Sequence, residues 1–438
     1  MPITPLPLAR LPWTRRDFCS TATLALLSPK ILAAQSGSSL VGQSRTNARA
    51  DVAAIDHDRI LAAADRYLTF PPAPLTAFPA PHSPGTPHDF YSEALATPAE
   101  TTPTTKPDLT TPFTAHSQAL LNFCIQVPAL VAAFVLAPNT PEGLRYATHA
   151  AAHLRAWFVT PATRMNPALP YGQLVRGSDA PHFEAVLETV HLAEVAQAVS
   201  FLTRTEALPE ADLTAIYAWF AAYLEWLGTA RPALLARDQR THHGTSWLLQ
   251  AAAFARLAPE PNAGIRKVPQ SPSSLAPLVA PPNEITPLSA LRHQFRTATL
   301  RAQIVADGSF PRELSSPLPY RNSLFNLDML AGICDLLSTR FESAWEYELQ
   351  DGPSMRVAIA HHLPYMLHRG SWPYRADATL FTALPLRQPS LLLAGRAYNR
   401  PEYVDLWKTL PADPTDPILQ RTFPIRQPLL WVRRSQAM

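Results

Sequence analysis

Glycine, lysine and cysteine are scarce in this chain, and charge is thin. Fourteen glycines in 438 residues amount to about 3%, against ~7% in an average protein. Such scarcity disfavours glycine-rich nucleotide loops and tight-turned β-architectures. Three cysteines in that length exclude a disulfide-built scaffold. Charged residues are 16% of the chain and the formal net charge is +3, so nothing in the charge demands a nucleic-acid partner. No run of about eighteen consecutive apolar residues occurs, and no membrane-spanning helix is expected.

Proline and arginine are abundant instead. The 47 prolines are about 11%, against ~5% on average. Only Lys30, Lys106, Lys267 and Lys408 are lysines, so the other basic residues are arginines. Arginine forks match carboxylates bidentately, although a genomic codon bias yields the same excess. With 47% hydrophobic residues the chain is globular in composition.

Thr14-Arg15-Arg16-Asp17-Phe18 is a twin-arginine pattern, followed by apolar stretches at 19–27 and 31–34. Residues 1–34 read as an export signal recognised by the twin-arginine machinery, and the protein is expected to be periplasmic or secreted. Segment 35–112 is expected to be a linker followed by irregular Pro/Thr-rich chain. From about 113 to 438 the pattern is helical. Leu213, Ile216, Phe220, Tyr223 and Leu227 form one apolar stripe, and Leu288, Leu291, Phe295, Ala298 and Ala302 repeat the spacing. Further helices are expected near 114–136 (interrupted by Pro128), 143–158, 184–204, 244–257, 323–338 and 389–398. Residues 258–286 read as a Pro-rich surface insertion. The fold class is all-α, built of packed helical hairpins. Cys124 and Cys334 sit in apolar surroundings and read as buried thiols.

Three places offer chemistry. His242 and His243 stand at a helix start, within Thr241-His242-His243-Gly244-Thr245, and histidine exchanges protons near neutral pH. Tyr320, Arg321 and Asn322 present a phenol, a guanidinium and an amide at another helix start. There the helix dipole favours an anion, or Asn322 or Ser323 acts as N-cap. Arg387-Gln388-Pro389 and Arg426-Gln427-Pro428 are read either as arginines aimed at a polyanion or, preferably, as loop arginines bonding carbonyls at helix entries. No zinc spacing appears, with His361-His362 lacking a third partner, and no metal is expected.

Several ordered segments together resemble the alginate lyase family of polysaccharide lyases. They are His88-Asp89-Phe90-Tyr91-Ser92-Glu93, His153 to Phe158, Thr163 to Pro167, Tyr171-Gly172-Gln173, His242 to Thr245, Gly308 through Asp328, Trp372-Pro373-Tyr374 and Arg387 to Leu391. The resemblance implies an incomplete (α/α) toroid with a long cleft, β-elimination at a 4-linked uronate, and no cofactor. His243 matches the family histidine, and His242 stands where the family has asparagine. The family tyrosine position falls on Asn322, an arginine position on Ser316, and a Gly-Arg pair on Pro181-His182. The resemblance thus points to His243 and Tyr320 as catalytic residues, with His242, Gln173, Arg321, Asn322 and His182 binding an acidic polysaccharide. The alternative is a weakened relative that binds without cleaving. A third reading, a hydrolase using Glu313 and Asp328, would need those carboxyls roughly 5–10 Å apart.

Overall fold

The structure, a computed structural model, describes residues 50–94, 112–175, 182–203, 205–257 and 287–432. The expected export signal, the insertion at 258–286 and Pro181 lie outside the described residues.

Two sets of helices differ in what they bury. Helices Ala115–Leu136, Leu192–Phe201, His242–Leu257, Pro319–Leu337 and Pro389–Ala397 are buried on nearly every side. Helix Glu210–Thr229 instead buries a single stripe of Ile216, Trp219, Phe220, Tyr223 and Leu227, as an outer helix must. Helices Pro141–Leu154 and Pro401–Thr409 also leave one side in water. The inner helices pack successively on one another in the order given, and the outer ones alternate with them along the chain. This is the expected all-α incomplete toroid. Its strands, Tyr91–Glu93 and Tyr171–Leu174, form one short parallel pair.

Four details depart from the sequence reading. Helix Ala115–Leu136 continues through Pro128. Its length and composition would suffice to cross a membrane, but 78% of its most apolar window is buried inside the protein. Segment 35–112 is not irregular throughout: helix His57–Tyr67 buries Ile60 and Ala64 and packs on Ala115–Leu136. The stripe expected through Ala298 breaks because residues Phe295–Thr299 form a π-turn. That turn adds a residue to the repeat, so Thr299, Leu300 and Gln303 are buried while Ala298 is exposed. The helix expected over 184–204 is two helices, Ala185–Glu188 and Leu192–Phe201.

The starts of the inner helices carry no serine or threonine cap. At three of them, His242–Leu257, Pro319–Leu337 and Pro389–Ala397, and at the buried helix Pro428–Val432, carboxylates from other elements take that place. Glu194 accepts from the amides of Arg426 and Gln427 ahead of helix Pro428–Val432, at 2.8 and 2.7 Å, and from the Trp431 indole at 3.3 Å. Asp328 accepts from the Ser390 amide at 3.1 Å. Asp377 accepts from the amides of Tyr320 and Arg321, both at 2.8 Å. Glu313 accepts from the His242 amide at 2.6 Å. Helix N-termini leave amide donors unpaired and carry partial positive charge, so a buried anion there is matched. The arginine pair resolves as preferred from sequence: Arg387 bonds the carbonyls of Leu410 and Lys408 as well as Asp56, and Arg426 bonds the Gln420 carbonyl. Cys124 and Cys334 are buried free thiols.

Glu194→Ala should destabilise the protein by about 3 kcal/mol, since it strands buried donors and the buried Arg426 guanidinium; urea unfolding measures it. Burial also lowers His153 to about 4 and His191, His243 and His362 to about 3. The unfolded chain protonates these near 6.5, so their contribution is present above pH ~6.5 and is lost as pH falls. In His362→Gln, the loss of unfolding free energy on acidification should be shallower by about one proton than in the parent chain, as read from urea titrations across that range.

Candidate active site

Helix His242–Leu257 begins where Gly244 lies so close to the preceding turn that a Cβ there would meet the Gln239 carbonyl at 2.3 Å. That close approach sets His242 and His243 at the end of an inner helix, with rings stacked at 4.3 Å. His242 is gripped by Glu313, whose Oε2 lies 2.9 Å from Nδ1. His243 has its Nδ1 3.0 Å from Thr241 Oγ1 and sits edge-on to Phe183 at 5.1 Å. Burial, with His242 adding to it, keeps His243 neutral.

His242 opens onto a cavity of about 230 Å³, which Gln173, Arg321 and Asn322 also line. Gln173 reaches it from strand Tyr171–Leu174 with a left-handed backbone, φ 55°, a conformation that costs a non-glycine residue free energy. The surrounding bonds hold it: its amide donates to Ser92 Oγ at 2.8 Å, and its side-chain amide donates to Glu188. The same strand pairing brings the two N-terminal motifs together, with Asn166 Nδ2 donating to Asp89 at 2.8 Å.

Arg321 and Asn322 form the opposite chemical pole. Asn322 donates to Ser316 Oγ at 3.1 Å. Among the described residues Arg321 has only a long 3.5 Å contact to Asn322 Oδ1, and its Nε is buried without a partner. Burial lowers its pKa, with Asp377 opposing. Asp377 is committed to backbone amides, so among the described residues the half-buried guanidinium has no carboxylate in contact. Such a group favours an incoming anion.

The structure brings together His242, Gln173, Arg321 and Asn322. His243 adjoins the cavity through His242 and Phe183, while His182 lies 3.8 Å from Glu184 at its margin. Tyr320 is a correction. Its side chain is fully buried, its hydroxyl donates to the Tyr365 carbonyl at 3.0 Å, and its ring packs edge-on against Trp372 and Phe381. It faces the core, one residue out of phase with Arg321. The N-cap expectation for Asn322 or Ser323 fails as well, because the helix starts at Pro319 and Asp377 holds its amides. Sequence reasoning missed Glu184, Glu188, His191 and Arg421, which also line the cavity. The 184, 188, 191 spacing is a one-face helical signal that finds the first three; Arg421 has none. Glu313 and Asp328 are occupied as helix caps. Among the described residues no cluster fit to hold a metal occurs, and no tyrosine lines the cavity.

The alginate lyase family model, described as "Alginate lyase", matches residues 75–263 and 284–372. The chain belongs to the alginate lyase family. A solved alginate lyase from Bacteroides ovatus is 20% identical, with a TM-score of 0.67 over 87% of this chain and 94% of that one. At that identity the likeness carries the fold. No curated protein matches the chain. The matched residues include every cavity-lining group but Arg421 and Thr422, so the cavity lies almost wholly within the segments that the family model covers.

Tyr320→Phe should leave any activity of this alginate lyase family member unchanged within about twofold. It should lower stability by about 1 kcal/mol, the worth of one buried hydrogen bond. Thermal melts and initial rates measured side by side check it.

Proposed function

We propose that this protein is a lyase acting on a 4-linked, uronate-containing polysaccharide by β-elimination. The observation that carries the reading is the half-buried Arg321 guanidinium, which has no carboxylate partner among the described residues, beside Asn322 and in the same cavity as a carboxylate-held histidine. β-Elimination asks for those parts. The proton alpha to the sugar carboxylate leaves only if the growing enolate charge is stabilised, and Arg321 and Asn322 are donors preorganised for it. Burial keeps His243 neutral, and His242 beside it, held by Glu313, supplies the base. Gln173 and His182 would contact flanking sugars. The twin-arginine pattern supports export to the periplasm or beyond, where such polymers are met.

Binding without cleavage is the second reading, and one observation favours it: Tyr320 is turned into the core and no tyrosine among the described residues lines the cavity. Ultraviolet absorbance of the conjugated double bond separates the two when the chain is mixed with a panel of polyuronates. We expect a steady rise that replacing both His242 and His243 by alanine abolishes and that Arg321→Ala weakens mainly through a raised KM. Binding by calorimetry with no rise on any polymer would establish the weakened relative instead.

A further inference from the structure

The two histidines are not equivalent. His242 lines the cavity, whereas His243 lies behind it against Phe183. Glu313, 1% exposed, holds His242 at two points, the amide and Nδ1. A carboxylate against Nδ1 keeps the ring proton on that nitrogen, because an unprotonated Nδ1 would set its lone pair against the anion. Nε2 then carries the basic lone pair. Among the described residues no hydrogen bond engages Nε2, and the side chain retains 14% exposure toward the cavity. Among the described residues no carboxylate holds His243 in this way; its Nδ1 lies 3.0 Å from Thr241 Oγ1. The arrangement at His242 is that of a base with an orienting acid behind it.

We infer that His242 is the proton-transfer residue of this cavity and that Glu313 is its positioning residue. The inference rests on the β-elimination reading above. His242 Nε2 takes the proton from the sugar carbon next to the carboxylate. The electron pair of that C–H bond forms the new C=C bond, and the C–O bond to the leaving sugar breaks with its pair going to oxygen. That oxygen takes the proton back from Nε2, so the ring ends as it began. One nitrogen serving both transfers explains how the cavity works without a phenol. Arg321 and Asn322, across the same cavity, stabilise the carboxylate while the proton is away. His243 keeps the plane of the His242 ring by stacking on it.

The charged and titratable groups around His242 are Glu313 behind it, His243 stacked on it, and the cavity-lining Glu184, Glu188, His191, Arg321 and Arg421. On a polyuronate that the parent chain cleaves, His242→Asn should lower kcat by about 100-fold or more with KM changed less than about threefold. Glu313→Gln places an amide donor or a neutral oxygen at Nδ1. It should lower kcat and move the acidic limb of the pH–rate profile while the amide cap, and so the fold by circular dichroism, survives. A kcat within about threefold of the parent in His242→Asn, with activity lost in His243→Asn, overturns the assignment. Long-range proton–nitrogen correlation spectra of the resting protein add a readout that needs no turnover. In the neutral ring an unprotonated Nε2 on His242 is expected, and an unprotonated Nδ1 overturns the role of Glu313. A parent chain that cleaves no polyuronate refutes the lyase reading and the transfer step together, whereas the spectrum still decides the positioning by Glu313.

Discussion

Carboxylates placed at the starts of buried helices hold this toroid together. An inner helix is surrounded by other helices, so its first amides reach neither water nor a local serine. Something else in the protein must accept from them, because an unpaired buried donor costs about 1–3 kcal/mol. Glu313, Asp377 and Asp328 do so for three inner-helix starts, and Glu194 does so for the buried helix Pro428–Val432. The helix dipole offsets part of the cost of burying the anion. What remains of that cost shows in the acids themselves: burial raises Glu194 and Asp377 and pushes Asp328 up to about 7.

Two of these caps also build the site. Glu313 starts helix His242–Leu257 and, with its second oxygen, holds the His242 ring. Asp377 starts helix Pro319–Leu337 through the amides of Tyr320 and Arg321. Fixing the helix at that phase sends Tyr320 into the core and leaves Arg321 and Asn322 on the cavity wall. The acid beside Arg321 is spent on backbone, which is why the guanidinium itself stays unpaired. A structural need and a chemical one are thus met by the same carboxylates, and helix starts carry His242, Arg321 and Asn322. The cavity is balanced in charge, with Arg321 and Arg421 against Glu184 and Glu188. Glu188 is engaged by Gln173 and Ser92, which tempers its repulsion of an acidic sugar.

The all-α class and the outer helices were legible in the residues, because an amphipathic stripe such as Ile216, Phe220, Tyr223 and Leu227 is a one-dimensional signal with a fixed period. The ordered motifs carried the family and named His242, Gln173, Arg321 and Asn322, which do share one cavity. Periodicity failed where the backbone changed its own repeat, at the π-turn Phe295–Thr299, and where a proline lay inside a fully buried helix, at Pro128. In both places tertiary packing outweighs local preference.

By itself, then, the sequence determined the helical architecture, the family and most of the polar residues of the cavity, since each of these is written in local pattern or in motif order. The tertiary structure alone decided direction. Tyr320 and Asn322 are two residues apart and both polar; only the helix phase set by Asp377, fifty-seven residues after Tyr320, turns one to the core and the other to the cavity. Likewise His242 and His243 are identical in type, and they differ only because Glu313, seventy-one residues away, reaches one imidazole and not the other. Contacts at that separation have no local signature, so no reading of neighbouring residues reveals them.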